Sequence, residues 1–360
     1  MGKRERSFIF EPEGYREKKK GGGLIAFLLV VVLLLGAVYL YNRAVNSRVT
    51  VSAETVKLVN MDSSLEGFRV LVISDLSGSS LGSNQELWTQ LLKSQKWDAA
   101  VLCGDMVGSS GNNEPMLSLI HTLQVLRPDA PVYFVAGDGD PDPVSSKPRG
   151  TPEVLADWVL EAQANGAIYL DAPVSQTYGK KNVWFSPSYL YDMDVEASAT
   201  SLRSQLLQME EQGKQYEMES GANYRALSYR LDVMDRTLEA MEQVTSEDLQ
   251  IAVNHMPLED DYLRNAITYA DKSSAFSFRS VSLVISGHPC GGQYRLPWGN
   301  AIRCNDQWFP TDDNVKGLNH SYSTYRYISP GLSSSSEAPI PVRLFNPPEV
   351  CILKFMRGID

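Results

Sequence analysis

Residues 68–76 read FRVLVISDL, a run of apolar, largely β-branched side chains interrupted only by Arg69, that ends in Ser-Asp-Leu. A strand that meets water on neither face needs such a run, whereas a strand with one wet face alternates apolar and polar residues. The same shape returns at 98–106 (DAAVLCGDM) and 131–140 (PVYFVAGDGD), where Gly and Asp follow the apolar residues. Between these runs, NQELWTQLLKSQ and NEPMLSLIHTLQVL space their apolar residues at helical intervals. A β-α-β-α-β order of this kind implies parallel strands with helices on their faces, so a layered α/β sandwich is expected. Downstream, GAIYLDAPV, KNVWFSP, LQIAVNHMP, VSLVISGHP, TYRYISPG and EVCILKF lie closer together and are expected to add antiparallel strands.

Residues 197–244 break this alternation. Tyr224, Leu227, Leu231, Met234, Leu238 and Met241 follow one another at steps of three and four, a heptad-like seam. Leu202, Leu206 and Met209 form a shorter stripe upstream, with Gly213 and Gly221 as turn residues between the two. A helical hairpin packed on itself or on the domain is expected, and a docking arm for a protein partner or a second copy is the sharper alternative. SPGLSSSSEAPIP at 329–341 is low in complexity and reads as a loop.

At the amino end, LIAFLLVVVLLLGAVYLY (24–41) carries no charge and approaches the ~20 residues that cross a bilayer as a helix. Lys3, Arg4, Arg6, Arg16, Lys18, Lys19 and Lys20 precede it, and only Arg43 and Arg48 follow closely. The positive-inside bias then makes 1–23 a cytoplasmic basic tail, 24–42 a single-pass plasma-membrane anchor, and 49–360 an extracytoplasmic domain. A cleavable signal peptide is the rival, but the apolar run is long and no Ala-x-Ala site follows it promptly. The whole chain carries a formal net charge of −10, and the excess of acid is larger still beyond the basic tail. Such a surface repels polyanions and argues against nucleic acid as a partner. Four cysteines are too few for a disulfide scaffold. Cys103 and Cys351 sit in apolar runs and read as buried thiols, while Cys290 and Cys304 flank an expected hairpin, with thiols and a disulfide both left open.

Ligands of parallel α/β sheets gather beyond the carboxyl ends of the strands. Those ends here carry Asp75, Gly104-Asp105, Gly137-Asp138-Gly139-Asp140, Asn254-His255 and Gly287-His288-Pro289-Cys290. Singly, each has a plain structural reading, such as turn former, helix cap or satisfied histidine. In this order they resemble the calcineurin-like metallophosphoesterase family, in particular its membrane-anchored bacterial branch. The likeness runs through GFRVLVISDLSG, LCGDMV, VAGDGDP, VNHMP, SGHPCGGQYRLPWG and RLFNPPEVCIL, from about residue 68 to 355. It implies a four-layer αββα sandwich holding two divalent metals (Mn, Fe or Zn) about 3.5–4 Å apart, with a metal-bound hydroxide that attacks a phosphate ester.

The family pattern transfers unevenly. Its first metal would take Asp75, Ser77, Asp105 and Cys290, where Ser77 and Cys290 stand in for two imidazoles. Its second would take Asp105, Asp138, His255 and His288, all able to ligate. Gly139 occupies the place of the histidine that assists the leaving group, and Gly108 the place of an acid that orients the site. No catalytic acid is therefore retained, one metal site is expected, and a second rests on Asp75 and Cys290. His121 reads as a surface or packing residue, and His320 as a loop residue. Two functions stay open: a phosphoester hydrolase of impaired or altered activity, acting on a phosphorylated lipid or wall precursor, and a catalytically inactive module for binding or assembly at the cell surface.

Overall fold

The computed structural model describes residues 22–81, 86–144, 154–216, 218–269, 276, 279–304, 307–310, 315–334, 340 and 342–358. The basic tail at 1–20 and part of the 329–341 loop lie outside them. The chain divides into two compact units, Met1–Ala44 and Val45–Asp360. Most of helix α1 (Gly22–Asn46) belongs to the first, and its stretch Gly23–Asn46 is long and apolar enough to cross a membrane.

The larger unit is built on two six-stranded sheets. One has the order β1 (Thr50–Leu58), β15 (Glu349–Arg357), β2 (Arg69–Ile73), β3 (Ala99–Cys103), β4 (Val132–Val135), β5 (Ala167–Tyr169), with β2 to β5 parallel and β15 antiparallel to β2. The other runs β13 (Gly317–Ser321), β14 (Thr324–Ile328), β9 (Leu283–Ser286), β8 (Leu249–Val253), β7 (Lys181–Pro187), β6 (Val174–Tyr178). A small third sheet joins β10 (Tyr294–Arg295), β11 (Ala301–Cys304) and β12 (Gln307–Trp308).

Alternate side chains of each strand serve different layers. Leu71, Ile73, Ala100 and Leu102 face α2 (Glu86–Leu92), α3 (Glu114–Leu126) and α4 (Asp157–Ala164), where Trp88, Leu119 and Trp158 complete the packing. Val70, Val72, Val101 and Cys103 point the other way, against Phe185, Ile251, Val253, Leu283 and Ile285 of the second sheet. Behind that sheet, Trp184, Ala252 and Val284 pack on Leu263 of α7 (Asp260–Tyr269) and Ala240 of α6 (Met218–Gln243). The layers are thus helix, sheet, sheet, helix: the strand runs implied a layered α/β sandwich, and the family resemblance implied this αββα order.

Strand direction differs from expectation: β5 is parallel to β4, and in the second sheet β7, β8, β9 and β14 are mutually parallel, with only β6 and β13 at the edges antiparallel. In the second sheet three crossovers explain it. The insertion carries the chain from β7 to β8, α7 carries it from β8 to β9, and the small third sheet with β13 carries it from β9 to β14, so each strand re-enters in the same direction. The insertion consists of α5 (Val195–Glu211) and α6, paired as a hairpin through Arg203 with Asp235 and Tyr224 with Glu210. Leu231, Met234, Leu238 and Met241 of the heptad-like seam turn inward with Leu202, and Leu206 is also buried. Asp171 ties the hairpin to the domain, accepting from Arg236 (2.9 and 2.8 Å) and Tyr229.

Candidate metal centre

The parallel strands that lead into the site stop at the same end of the sandwich, and their carboxyl-end loops interlock. After β2, the Asp75 and Ser77 amides donate to the carbonyls of Gly104 (3.0 Å) and Asp105 (2.7 Å) after β3. After β8, the His255 carbonyl accepts from the Gly287 amide at 2.9 Å, which locks this loop to the one after β9. Asp75, Ser77, Asp105, His288 and Cys290 all have positive φ, between 48° and 72°. Non-glycine residues seldom adopt that conformation, and its concentration at one place marks strain held by the surrounding fold, a common property of functional sites. Gly104 (φ 80°) is required on steric grounds as well, since a Cβ there would collide with the His255 ring.

The structure brings Asp105, Asp138, His255 and His288 together. His255 Nε2 is 3.0 Å from Asp138 Oδ1 and 3.4 Å from Asp105 Oδ2, and His288 Nδ1 is 3.0 Å from the same Asp138 oxygen. Two overlapping groups could each hold an ion: Asp138 with His255 and His288, and Asp75 with Asp105 and His255. Cys290 joins neither group among the described residues. Its buried thiol lies beside the Asp75 carboxylate, and burial, then that charge, push its pKa well up, so the metal-free site favours a thiol over a thiolate. No disulfide joins Cys290 to Cys304.

The donor set fits a divalent cation. His255 Nδ1 lies 2.8 Å from the carbonyl of Cys103, which can only accept, so Nδ1 carries the proton and the Nε2 lone pair faces the carboxylates. That Nε2 is buried without a hydrogen-bond partner, as is Asp75 Oδ2. Unpaired buried acceptors crowded together are costly unless a cation or proton sits between them. The electrostatics agree. Burial works against a charged His255, but Asp105 and Asp75 more than offset it and lift its pKa to about 9. Burial likewise opposes the Asp105 charge, yet His255 and the Gly139 amide bring this carboxyl below its ordinary range. Asp75 goes the other way, raised chiefly by its burial.

The positions that depart from the family pattern have structural partners of their own. Ser77 Oγ is 2.8 Å from Ser333 Oγ, and the Ser333 amide donates to the Asp75 carbonyl at 2.8 Å. Gly108 (φ 68°) lies against Ser77, whose Cα would be 3.0 Å from an added Cβ, so an acid here would be strained. Gly139 donates its amide to Asp105 Oδ1 at 2.8 Å, and an added Cβ would sit 2.9 Å from Asp105 Oδ2. Gly139→His should therefore displace the Asp105 carboxylate instead of supplying the missing acid. A metal titration should show affinity lowered by ~10-fold or more, as when a ligand's support is lost, with no gain in turnover.

Two positioning residues had no role assigned from the sequence: Asp140, named only as part of a strand-end run, and Arg343. Asp140 accepts from the amides of Gly137 (2.9 Å), Val107 (2.8 Å) and Gly108 (2.8 Å), fastening the turn that carries Asp138 to the loop that carries Asp105. An acid three residues beyond a strand-end glycine was the available cue. Arg343, buried, donates to the carbonyls of Ser333 (2.6 Å), Pro330 (2.8 Å) and Asn346 (2.7 Å), and Asn346 donates to the Cys290 carbonyl. This clamp holds the 330–333 segment over Asp75, and no sequence cue pointed to it.

The cavity at the site, about 170 Å³, is lined by Asp75, Asp105, Asp138 and His288 with a rim of serines including Ser77, Ser109 and Ser333. A larger cavity of about 730 Å³, bordered by His320, lies at the amino ends of β8 and β9, away from these groups. Convergence of ligand atoms, more than volume, identifies the functional centre. His121 is exposed on α3.

The model of the calcineurin-like phosphoesterase family matches residues 68–290. No curated protein matches the chain. Among solved structures it is similar to Phosphopantetheinyl Hydrolase (PptH) from Mycobacterium tuberculosis, at 14% identity over 73% of this chain and 89% of that one, with a TM-score of 0.34. It is also similar to TT1561 of Thermus thermophilus, at 11% identity over 74% of this chain and 90% of that one, with a TM-score of 0.33.

Proposed function

Because the chain belongs to the calcineurin-like phosphoesterase family, we propose that it is a membrane-anchored, extracytoplasmic protein that handles phosphate esters through one divalent cation and hydrolyses them weakly. The convergence of Asp105, Asp138, His255 and His288, with the His255 Nε2 lone pair unpartnered, carries this reading. A divalent cation in such a site polarises a phosphoryl oxygen and lowers the pKa of its water.

The chain's own residues set both the requirement and the limit. The described cavity lining contains three carboxylates and neither Lys nor Arg, so an anionic ester is repelled until positive charge is supplied. His255 is oriented by the Cys103 carbonyl, and half-exposed Asp138 forms the open side. No imidazole stands at Gly139 to protonate the leaving oxygen, and Ser77 is engaged with Ser333. Loss of one positioned acid lowers a rate by ~10² to 10⁴. The apolar helix and the basic residues before it support a single pass through the plasma membrane with the amino end inside. That placement favours a phosphorylated lipid or a wall precursor as substrate.

Elemental analysis of the purified chain, run beside a chromogenic phosphodiester assay with Mn²⁺, tests the reading. About one bound metal and slow turnover abolished by chelation are expected. One metal without turnover would favour the second reading, a catalytically inactive module for binding or assembly. Gly139 and Ser77 favour that alternative, as does the helical hairpin with Leu207 exposed. No metal at all would remove the basis of the proposal.

The site also predicts a pH dependence. The His255 pKa is raised from 6.5 to about 9, so the stability its charge contributes to the metal-free protein is complete below the unfolded value and lost as pH rises through about 9. A cation takes the place of that proton. The rise in Tm caused by Mn²⁺, read from paired thermal melts with and without chelator, should therefore grow from about pH 6 to about pH 8.5.

A further inference from the structure

The small third sheet presents the exposed tryptophans of the folded unit. Trp298 is 75% exposed at the turn between β10 and β11, and Trp308 (58%) and Phe309 (68%) close β12. The register puts Trp298 and Phe309 at one end of the sheet: the Phe309 amide donates to Ile302 at the start of β11, and the Leu296 amide donates to Asn300 across the adjoining turn. Ile340 (61% exposed) joins the same sheet through β10, its carbonyl accepting from Tyr294 Oη. Large apolar side chains gathered on a folded surface mark a contact with something less polar than water.

The position of this sheet indicates what it contacts. Asn46, the last residue of α1, donates its side-chain amide to the Arg343 carbonyl. The next residue, Leu344, exchanges backbone hydrogen bonds with Gln293 (3.0 Å) and Arg295 (2.9 Å), the latter in β10. Only residues 47–49 separate Asn46 from β1, a link that reaches about 10 Å at most. The aromatic sheet thus adjoins Asn46, the second residue of the folded unit. Tryptophan is the side chain that collects at bilayer interfaces, where its ring is buried among acyl chains and its N–H stays among headgroups.

We propose that Trp298, Trp308 and Phe309 seat the folded unit on the bilayer interface. The inference rests on the membrane-anchored reading above and extends it. β10 continues directly from the His288–Cys290 loop, and Arg295 donates to the Gly291 carbonyl at 2.8 Å. A sheet resting on the headgroups therefore holds the metal-site loop close to the lipid surface, where the ester to be bound is carried by a lipid.

The test uses the full chain reconstituted into phosphatidylcholine vesicles, with and without lipids brominated near the top of the acyl chain. The other four tryptophans, Trp88, Trp97, Trp158 and Trp184, are at most 6% exposed, so contact quenching reports on Trp298 and Trp308. Brominated lipid should remove roughly one third of the tryptophan emission, the share of two indoles in six. The double variant Trp298→Phe, Trp308→Phe should abolish that loss. Flotation of the same vesicles separates the two readings. A chain that floats without being quenched overturns the seating and leaves the anchor intact, whereas a chain that fails to float overturns the anchor. A blue shift that depends on chain density but not on bromination would assign the patch to a second copy, and would also overturn the seating.

Discussion

Asp105→Asn is expected to lose its metal: content should fall from about one cation per chain to a trace, affinity should drop by more than ~100-fold, and any metal-dependent turnover should go with it. Removing groups that merely support a ligand already costs ~10 to 100-fold. Asp105 does more than support. One of its oxygens is fixed by the Gly139 amide at 2.8 Å, and the other faces His255 Nε2 at 3.4 Å. Asn keeps the size and one acceptor but loses the negative charge, and a neutral amide oxygen is the poorer ligand for a hard cation. Asp75→Asn supplies the control. Neither acid belongs to the group formed by Asp138, His255 and His288, but Asp105 faces His255 Nε2 at 3.4 Å while Asp75 belongs only to the other group, so a one-cation site should lose less than ~10-fold in affinity at Asp75. Equal losses at Asp75 and Asp105 would mean that a second ion is bound between them.

The second large effect concerns the scaffold. Phe185, fully buried on β7, stacks on Tyr133 of β4 with ring centroids 4.4 Å apart and planes at 26°. The pair bridges the two sheets within their shared core. Phe185→Ala removes the ring from one side of that stack and leaves a void that rigid strands cannot close, a change that costs about 3 to 5 kcal/mol. Denaturant titration should show the midpoint falling with the slope unchanged. Below its transition the variant should still bind metal, because Phe185 lies between the sheets and not at their carboxyl ends.

The strands of this fold could be read because burial on both faces leaves nothing for the sequence to alternate with. FRVLVI and AAVLC contain almost no polar residue, and the acids that follow them stand out. A layered α/β sandwich followed from those runs and from the helical spacing of α2 and α3, and the four-layer order followed from the family resemblance. The parallel direction of β7, β8, β9 and β14 was harder to see, because 197–244 reads as an insertion apart from the sheet and the stretch that forms α7 carries no apolar run to announce a crossover. At the site, Asp105, Asp138, His255 and His288 were legible as polar groups at strand ends. The left-handed backbone at Asp75, Ser77 and Cys290 was not, since no glycine marks it. Nor was the Arg343 clamp, whose partners are carbonyls. Main-chain acceptors exist at every residue, so sequence cannot say which of them a buried guanidinium will meet.

The most direct test is the anomalous diffraction of crystals grown with Mn²⁺. A single site bounded by Asp105, Asp138, His255 and His288, at ordinary ligand distances of about 2.0–2.2 Å, is the predicted result. An anomalous peak elsewhere, none at all, or a second of equal height beside Asp75 and Cys290 would contradict a one-cation centre.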